Sequence, residues 1–110
     1  MVDKYLNSGE RVIFVTKNEV RVGEDKGFQA FVTNQRLIFL NRRGFVFKKD
    51  KMKDALLKNV NGVNLEEKGF LRKRKEMEIR SHGENFRLFG DHSDLTGLHR
   101  VINERLAAIV

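Results

Sequence analysis

Two stretches of this chain could do chemistry through charge. Residues 42–53 hold Arg42, Arg43, Lys48, Lys49, Lys51 and Lys53, and residues 68–75 hold Lys68, Arg72, Lys73, Arg74 and Lys75. Together they carry 11 of the 22 Lys+Arg with Asp50 as their one acid, a net +10 against −3 for the rest of the chain. Charge segregated in this way suits an anionic partner, either lipid headgroups or an acidic protein. The expected electrostatic contacts are Lys48, Lys49, Lys51, Lys53, Arg72, Lys73, Arg74 and Lys75. Phe70 and Leu71, set between Lys68 and Arg72, have the chemistry of a wedge that dips into a membrane interface. The competing reading is a solvated edge that guards exposed strands against edge-to-edge pairing. Each base near an anionic membrane contributes roughly 1 kcal/mol. With about half of them on one face, that gives affinity only around the millimolar-to-submillimolar range.

Other chemistry finds less support. Asp91-His92-Ser93-Asp94 contains the residue types of a hydrolase triad, but neighbours in sequence do not converge as a triad requires, so a helix start is expected there. His92 and His99 lie seven apart with no histidine or carboxylate completing a metal set between them. With no Cys, neither thiolate catalysis nor a thiolate metal site is available. No glycine-rich phosphate loop is present. No catalysis, metal or cofactor is therefore expected. Nucleic acid is the competitor raised by a pI near 10. It is disfavoured because single-strand binders need exposed aromatic platforms, and the Phe residues here fall mostly in apolar, strand-like runs.

Elements that would position the charge follow from the apolar pattern. Arg11–Val15 is a strand. Asn18–Gly27 holds a loop, with Glu19–Val22 able to extend the strand. Phe28, Ala30 and Val32 alternate along the next strand. Leu37–Leu40 is continuously apolar, as in a strand covered on both sides. The polar step Thr33-Asn34-Gln35-Arg36 joins these two as a hairpin, with Asn34 able to take a left-handed turn. Arg42–Gly44 turns the chain, Phe45–Phe47 returns it, and Lys48–Asn59 reads as an irregular connection. Val60-Asn61-Gly62-Val63 reads as a bulge at the start of a strand reaching Glu67. Lys68–Arg72 turns, Met77 and Ile79 mark a strand, His82–Asn85 a hairpin turn, and Phe86 and Leu88 a last strand ending at Gly90. A helix over about 92–109 then carries Leu95, Leu98, Val101, Ile102, Leu106 and Ile109 as one apolar stripe. Asp91 or Ser93 can cap it, and a residue as small as Gly97 would let it approach the sheet closely. Six or seven strands within about 11–90 and one helix make a mainly β domain, a bent sheet or sandwich whose open end the helix plugs. A chain of 110 residues is one domain, 1–110, able to bury its own core. With no apolar leader and no run long enough to span a bilayer, the expected location is the cytoplasm, with peripheral membrane contact through the basic windows.

Gly9-Glu10, Val32-Thr33-Asn34-Gln35-Arg36-Leu37-Ile38-Phe39, Val60-Asn61-Gly62-Val63 and Lys68-Gly69-Phe70-Leu71 come in an order that resembles prokaryotic pleckstrin-homology-like (PH-like) domains, relatives of the GRAM module. The resemblance runs from about Leu6 to Leu106. It implies a seven-stranded barrel capped by the C-terminal helix and a noncatalytic module that binds lipids, peptides or other copies. In lipid-binding pleckstrin domains the headgroup motif lies in the loop after strand one. Here Lys17, Arg21 and Lys26 are offset there by Glu19, Glu24 and Asp25, so a phosphoinositide-specific pocket is not implied. The function expected is recruitment to an anionic membrane surface. The alternative is a protein-interaction or homo-oligomerisation module, for which the apolar end Leu106–Val110 is a candidate contact.

Overall fold

Strand β3 (Asp25–Thr33) organises the fold because it is paired on both of its edges. One edge pairs with β4 (Arg36–Asn41). The other pairs with β2 (Val20–Val22) along its first half and with β1 (Val12–Val15) along its second. The computed structural model describes residues 2–41, 51–67 and 74–109. Beyond β4 lie β5 (Lys51–Leu56), a 3-10 turn at Leu57–Asn59, β6 (Val60–Glu67), β7 (Arg74–Ser81), β8 (Glu84–Asp91) and the helix α1 (His92–Ile109). All strand pairs are antiparallel, in the order β5-β4-β3-β2-β8-β7-β6, with β1 beside β3. The mainly β architecture closed by a C-terminal helix is therefore as the sequence implies.

The break between β1 and β2 has a clear cause. Thr16 still pairs with β3, its N–H donating to the Ala30 carbonyl at 3.0 Å. The next two N–H groups, of Lys17 and Asn18, turn away and donate to the two oxygens of Asp94 at 2.9 and 3.1 Å. Asp94, buried in the first turn of the helix, joins the helix to this interruption. Gly97, one turn on, lies against Phe14: a Cβ there would sit 2.7 Å from the ring, so the close approach needs glycine.

The core has two parts. Phe28, Ala30, Val32, Leu37 and Phe39 meet Met77, Ile79, Phe86 and Leu88 under Leu95, Leu98, Val101 and Ile102 of α1. The Phe39 and Phe86 rings, 5.2 Å apart, join the two halves of the sheet. Phe31, Ile38 and Leu40, on the opposite face of β3 and β4, pack under Val2, Tyr5 and Leu6. Both faces of Leu37–Leu40 are covered, as the unbroken apolar run predicts. Leu106 is half-buried at the far end of the stripe, and the Ile109 side chain lies outside the described residues.

Three expectations change. Lys51–Leu56 is a strand rather than an irregular connection, paired residue by residue with β4. It reads poorly because only Ala55 is buried; an edge strand can present lysine stems where a central one needs apolar side chains. The β7–β8 turn is only His82-Gly83, with Gly83 at φ 86°. The hairpin after β3 is closed by Thr33, whose Oγ1 accepts the N–H of Gln35 and Arg36 at 3.0 and 2.9 Å. Asn34 reaches out instead, accepting from Arg11 N–H and donating to the Gly9 carbonyl. The bulge at Val60–Gly62 forms as read. The expected turns at 42–44 and 68–72 and the return at Phe45–Phe47 lie outside the described residues.

One polar knot is buried beside this hairpin. Arg36 donates through Nε and Nη2 to Glu10 at 2.9 and 3.2 Å, through Nη1 to Asp54 at 2.6 Å, and through Nη2 to the Tyr5 carbonyl at 2.6 Å. Glu10 also accepts from the Thr33 hydroxyl at 2.6 Å and from Asn7 N–H at 2.8 Å. Burial pushes the Glu10 carboxyl up most strongly, but the bonds from Arg36, Asn7 and Thr33 and the guanidinium charge together hold it below its ordinary value.

Three predictions follow from this packing. A depressed folded value means that Glu10 contributes stability in full above its unfolded titration, and loses it as pH falls through the folded one. Urea unfolding of wild type and Glu10→Gln from pH 7 down to acid should therefore converge at low pH; a constant gap would refute the linkage. Arg36→Ala, which strands Glu10, should cost about 3–5 kcal/mol, and Arg36→Met in a Glu10→Gln background much less. Gly97→Ala should destabilise despite the roughly 1 kcal/mol of helix propensity that alanine adds, because overpacking costs about 1–3 kcal/mol. In a Phe14→Ala background, which vacates the space, the same change should stabilise.

Candidate anionic-contact surface

Strand direction decides where each basic window begins. Because every pair is antiparallel, the end of β4 at Asn41 lies level with the starts of β3 and β5 and the end of β2. Window 42–53 leaves from that end of the array. The end of β6 at Glu67 and the start of β7 at Arg74 lie level with the end of β8, and window 68–75 leaves from there. Carried across β2, where Val20 pairs with Phe28 and Arg21 with Phe89, the two roots come to nearly the same level, four strands apart. The two windows are rooted apart.

Of the ten expected contact residues, four stand on described strands. Lys51 opens β5, and its Nζ lies 2.6 Å from Asp25 Oδ2; Lys53, two residues on, lies 3.8 Å from the same oxygen. Arg74 and Lys75 open β7, level with Asp91 and Gly90 of β8, and Lys75 is half-exposed. The Arg74 side chain and all of Lys48, Lys49, Phe70, Leu71, Arg72 and Lys73 lie outside the described residues.

The end that carries window 42–53 gathers further bases. Arg21 on β2 and Lys26 on β3 are exposed there and line an open groove of about 350 Å³ with Glu19, Val20, Gly27 and Phe89. The Arg21 guanidinium lies 4.0 Å from the centroid of the Phe89 ring, which holds a cation flat against the sheet. Asn41 seals the β3–β4 edge, its Nδ2 donating to the Lys26 carbonyl at 2.7 Å. Linear sequence set Arg21 and Lys26 against Glu19, Glu24 and Asp25 and discounted them. That bookkeeping treats neighbours in sequence as neighbours in space, whereas Asp25 faces two lysines of β5 across a sequence gap of 26 or more residues.

The residues with hydrolase-like chemistry have structural partners. Asp94 holds the β1–β2 break, and Asp91 accepts from Asn18 Nδ2 at 2.7 Å. His92 is exposed at the helix start; His99 is half-buried, with Asn103 Nδ2 3.4 Å from its ring nitrogens. Among the described residues no three His, Asp or Glu side chains converge to hold a metal. No described helix is long and apolar enough to cross a membrane.

Comparison with known proteins agrees with this architecture. Residues 6–104 match the family described as bacterial PH domain. This chain belongs to the bacterial PH domain family. Two solved structures share its fold. A pleckstrin homology domain from Shewanella amazonensis SB2B superposes with a TM-score of 0.71 at 17% identity, over 96% of this chain and 92% of the other. A DUF1696 family protein with a pleckstrin-homology domain from Shewanella loihica PV-4 gives 0.67 at 16% identity, over 96% and 86%. No curated protein matches the chain. For a PH domain the strand array is a scaffold, and the chemistry of binding sits in the loops and edges it presents.

Proposed function

We propose that this PH domain is a noncatalytic module that rests on an anionic surface, with membrane lipid headgroups as the partner its charge suits best. The observation that carries the reading is the charge at the 42–53 end. There Arg21 and Lys26 share a groove level with the root of that window, while Asp25 is answered by Lys51 and Lys53. Lys48, Lys49, Lys51 and Lys53 form the first contact patch in this reading. Window 68–75, with Arg72, Lys73, Arg74 and Lys75 around the apolar pair Phe70-Leu71, forms a second, separate patch. Kinship with the GRAM module, carried by the Thr33–Phe39 run, is part of the same proposal.

Open grooves and surface bases give modest affinity, because each charge adds roughly 1 kcal/mol and long side chains lose freedom on contact. A single copy binds weakly, and linked copies would bind by avidity. Salt should weaken the contact, since exposed charges are screened beyond about 8 Å at physiological ionic strength.

Vesicle flotation tests the proposal. The protein should float with anionic vesicles and not with neutral ones, and less so as salt rises. Lys48→Glu/Lys49→Glu should reduce binding by roughly tenfold or more. Lys73→Glu/Arg74→Glu/Lys75→Glu, assayed alongside, reads the second patch separately. Failure to float with anionic vesicles even at low salt would overturn the membrane reading.

A further inference from the structure

Among the described residues, three strand edges are left open at the margins of the sheet, those of β1, β5 and β6, and β1 differs from the others. Natural proteins blunt such edges with charge. β5 carries Lys51, Lys53 and Asp54, and β6 carries Asn61, Asn64 and Glu66. β1 reads Val12-Ile13-Phe14-Val15, with no polar residue. Val12, Ile13 and Val15 are 37, 39 and 41% exposed, three of the four exposed large apolar side chains among the described residues. β1 pairs only with β3, and no described strand takes its other edge. Phe14 alone turns inward, against Gly97 of α1. The bulge between Val12 and Phe14 twists the strand but does not cover it.

Charge specifies what would fit. Arg11 and Lys17 stand exposed at the two ends of β1, and Arg100 lies one helical turn beyond Gly97, exposed on α1. Two acids at the Lys17 end are engaged, Asp94 by two N–H groups and Asp91 by Asn18, while Glu19 is exposed in the groove beside Arg21 and Lys26. Glu10, beside Arg11, is buried against Arg36. Besides Asp94, α1 holds one acid, Glu104, exposed a further turn along. We infer that β1 is a strand-addition site for an extended segment of another protein, apolar at alternate positions and acidic at both ends. Main-chain hydrogen bonds to the open edge supply the affinity, and Arg11 and Lys17 select the ends. A second copy fits less well. Antiparallel β1 on β1 places Arg11 beside Lys17, β1 on β5 sets bases against bases, and β6 carries acid at one end only.

The probe is a synthetic peptide of alternating valine and threonine with glutamate at each end, cut to the seven positions from Arg11 to Lys17. Its control is the same peptide with lysine at each end. Amide hydrogen exchange and nitrogen-15 chemical shifts are read on the whole protein. The glutamate peptide should shift and protect the amides of residues 12–15, and the lysine peptide should bind at least about fivefold more weakly. The Arg11→Glu/Lys17→Glu variant changes only exposed side chains and should reverse that preference. Val15→Lys, also at an exposed position, should weaken both peptides. Shifts confined to the basic windows, or equal binding of the two peptides, would overturn the inference. So would sedimentation showing a dimer with β1 amides already protected, since a second copy would then own the edge. Vesicle binding reads a different surface, so the two proposals fail independently.

Discussion

A single guanidinium fixes the geometry on which the rest of this domain depends. Arg36 is buried among Glu10, Asp54 and the Tyr5 carbonyl, so it holds the N-terminal turn, β4 and β5 in one arrangement. Burying such a charge is costly, and an apolar replacement of both partners can be as stable. What the knot supplies is register. It sits beside the two-residue link between β3 and β4, where a slip of one residue would send Leu37 and Phe39 to the outer face and Ile38 and Leu40 to the inner one. Either set in the wrong place would empty one of the two cores.

Register at that hairpin propagates to the charged end of the sheet. With β4 fixed, β5 pairs from Arg36↔Leu56 to Asn41↔Lys51, which brings Lys51 and Lys53 to Asp25. Membership of the PH domain family describes this scaffold, and scaffolds of one fold hold unrelated ligands. The specific character of this member is therefore local: bases concentrated in two stretches of sequence, a guanidinium stacked on Phe89, and one uncharged strand edge.

Much of the fold was legible in the sequence. The two-sided burial of Leu37–Leu40, the bulge at Val60–Gly62 and the apolar stripe of α1 each follow from periodicity that solvent and core impose directly. What stayed hidden depends on partners distant in sequence. β5 shows no alternation because an edge strand lets lysine stems stand where a central strand needs apolar side chains. The Arg36 knot unites residues 5, 10, 33, 36 and 54, and only the conjunction of Glu10 with Thr33-Asn34-Gln35-Arg36 hinted at it. Arg21 and Lys26 were set against Asp25, which pairs instead with Lys51 and Lys53. Asp94 gave a correct signal for a helix start and none for the backbone it holds across more than seventy residues.

That last bond has a temporal side. The first strand, the interruption after it and the final helix are closed by one carboxylate at position 94 and one glycine at position 97. During synthesis the strands therefore emerge well before the element that completes their core. Until Ile102 has left the ribosome, Phe14, Leu37 and Met77 share an open apolar face, and the bare edge of β1 stands beside it. Incomplete chains of this kind are the species most prone to pair with one another. The protein's exposure to misassembly is thus concentrated in the interval between finishing its sheet and docking its last helix.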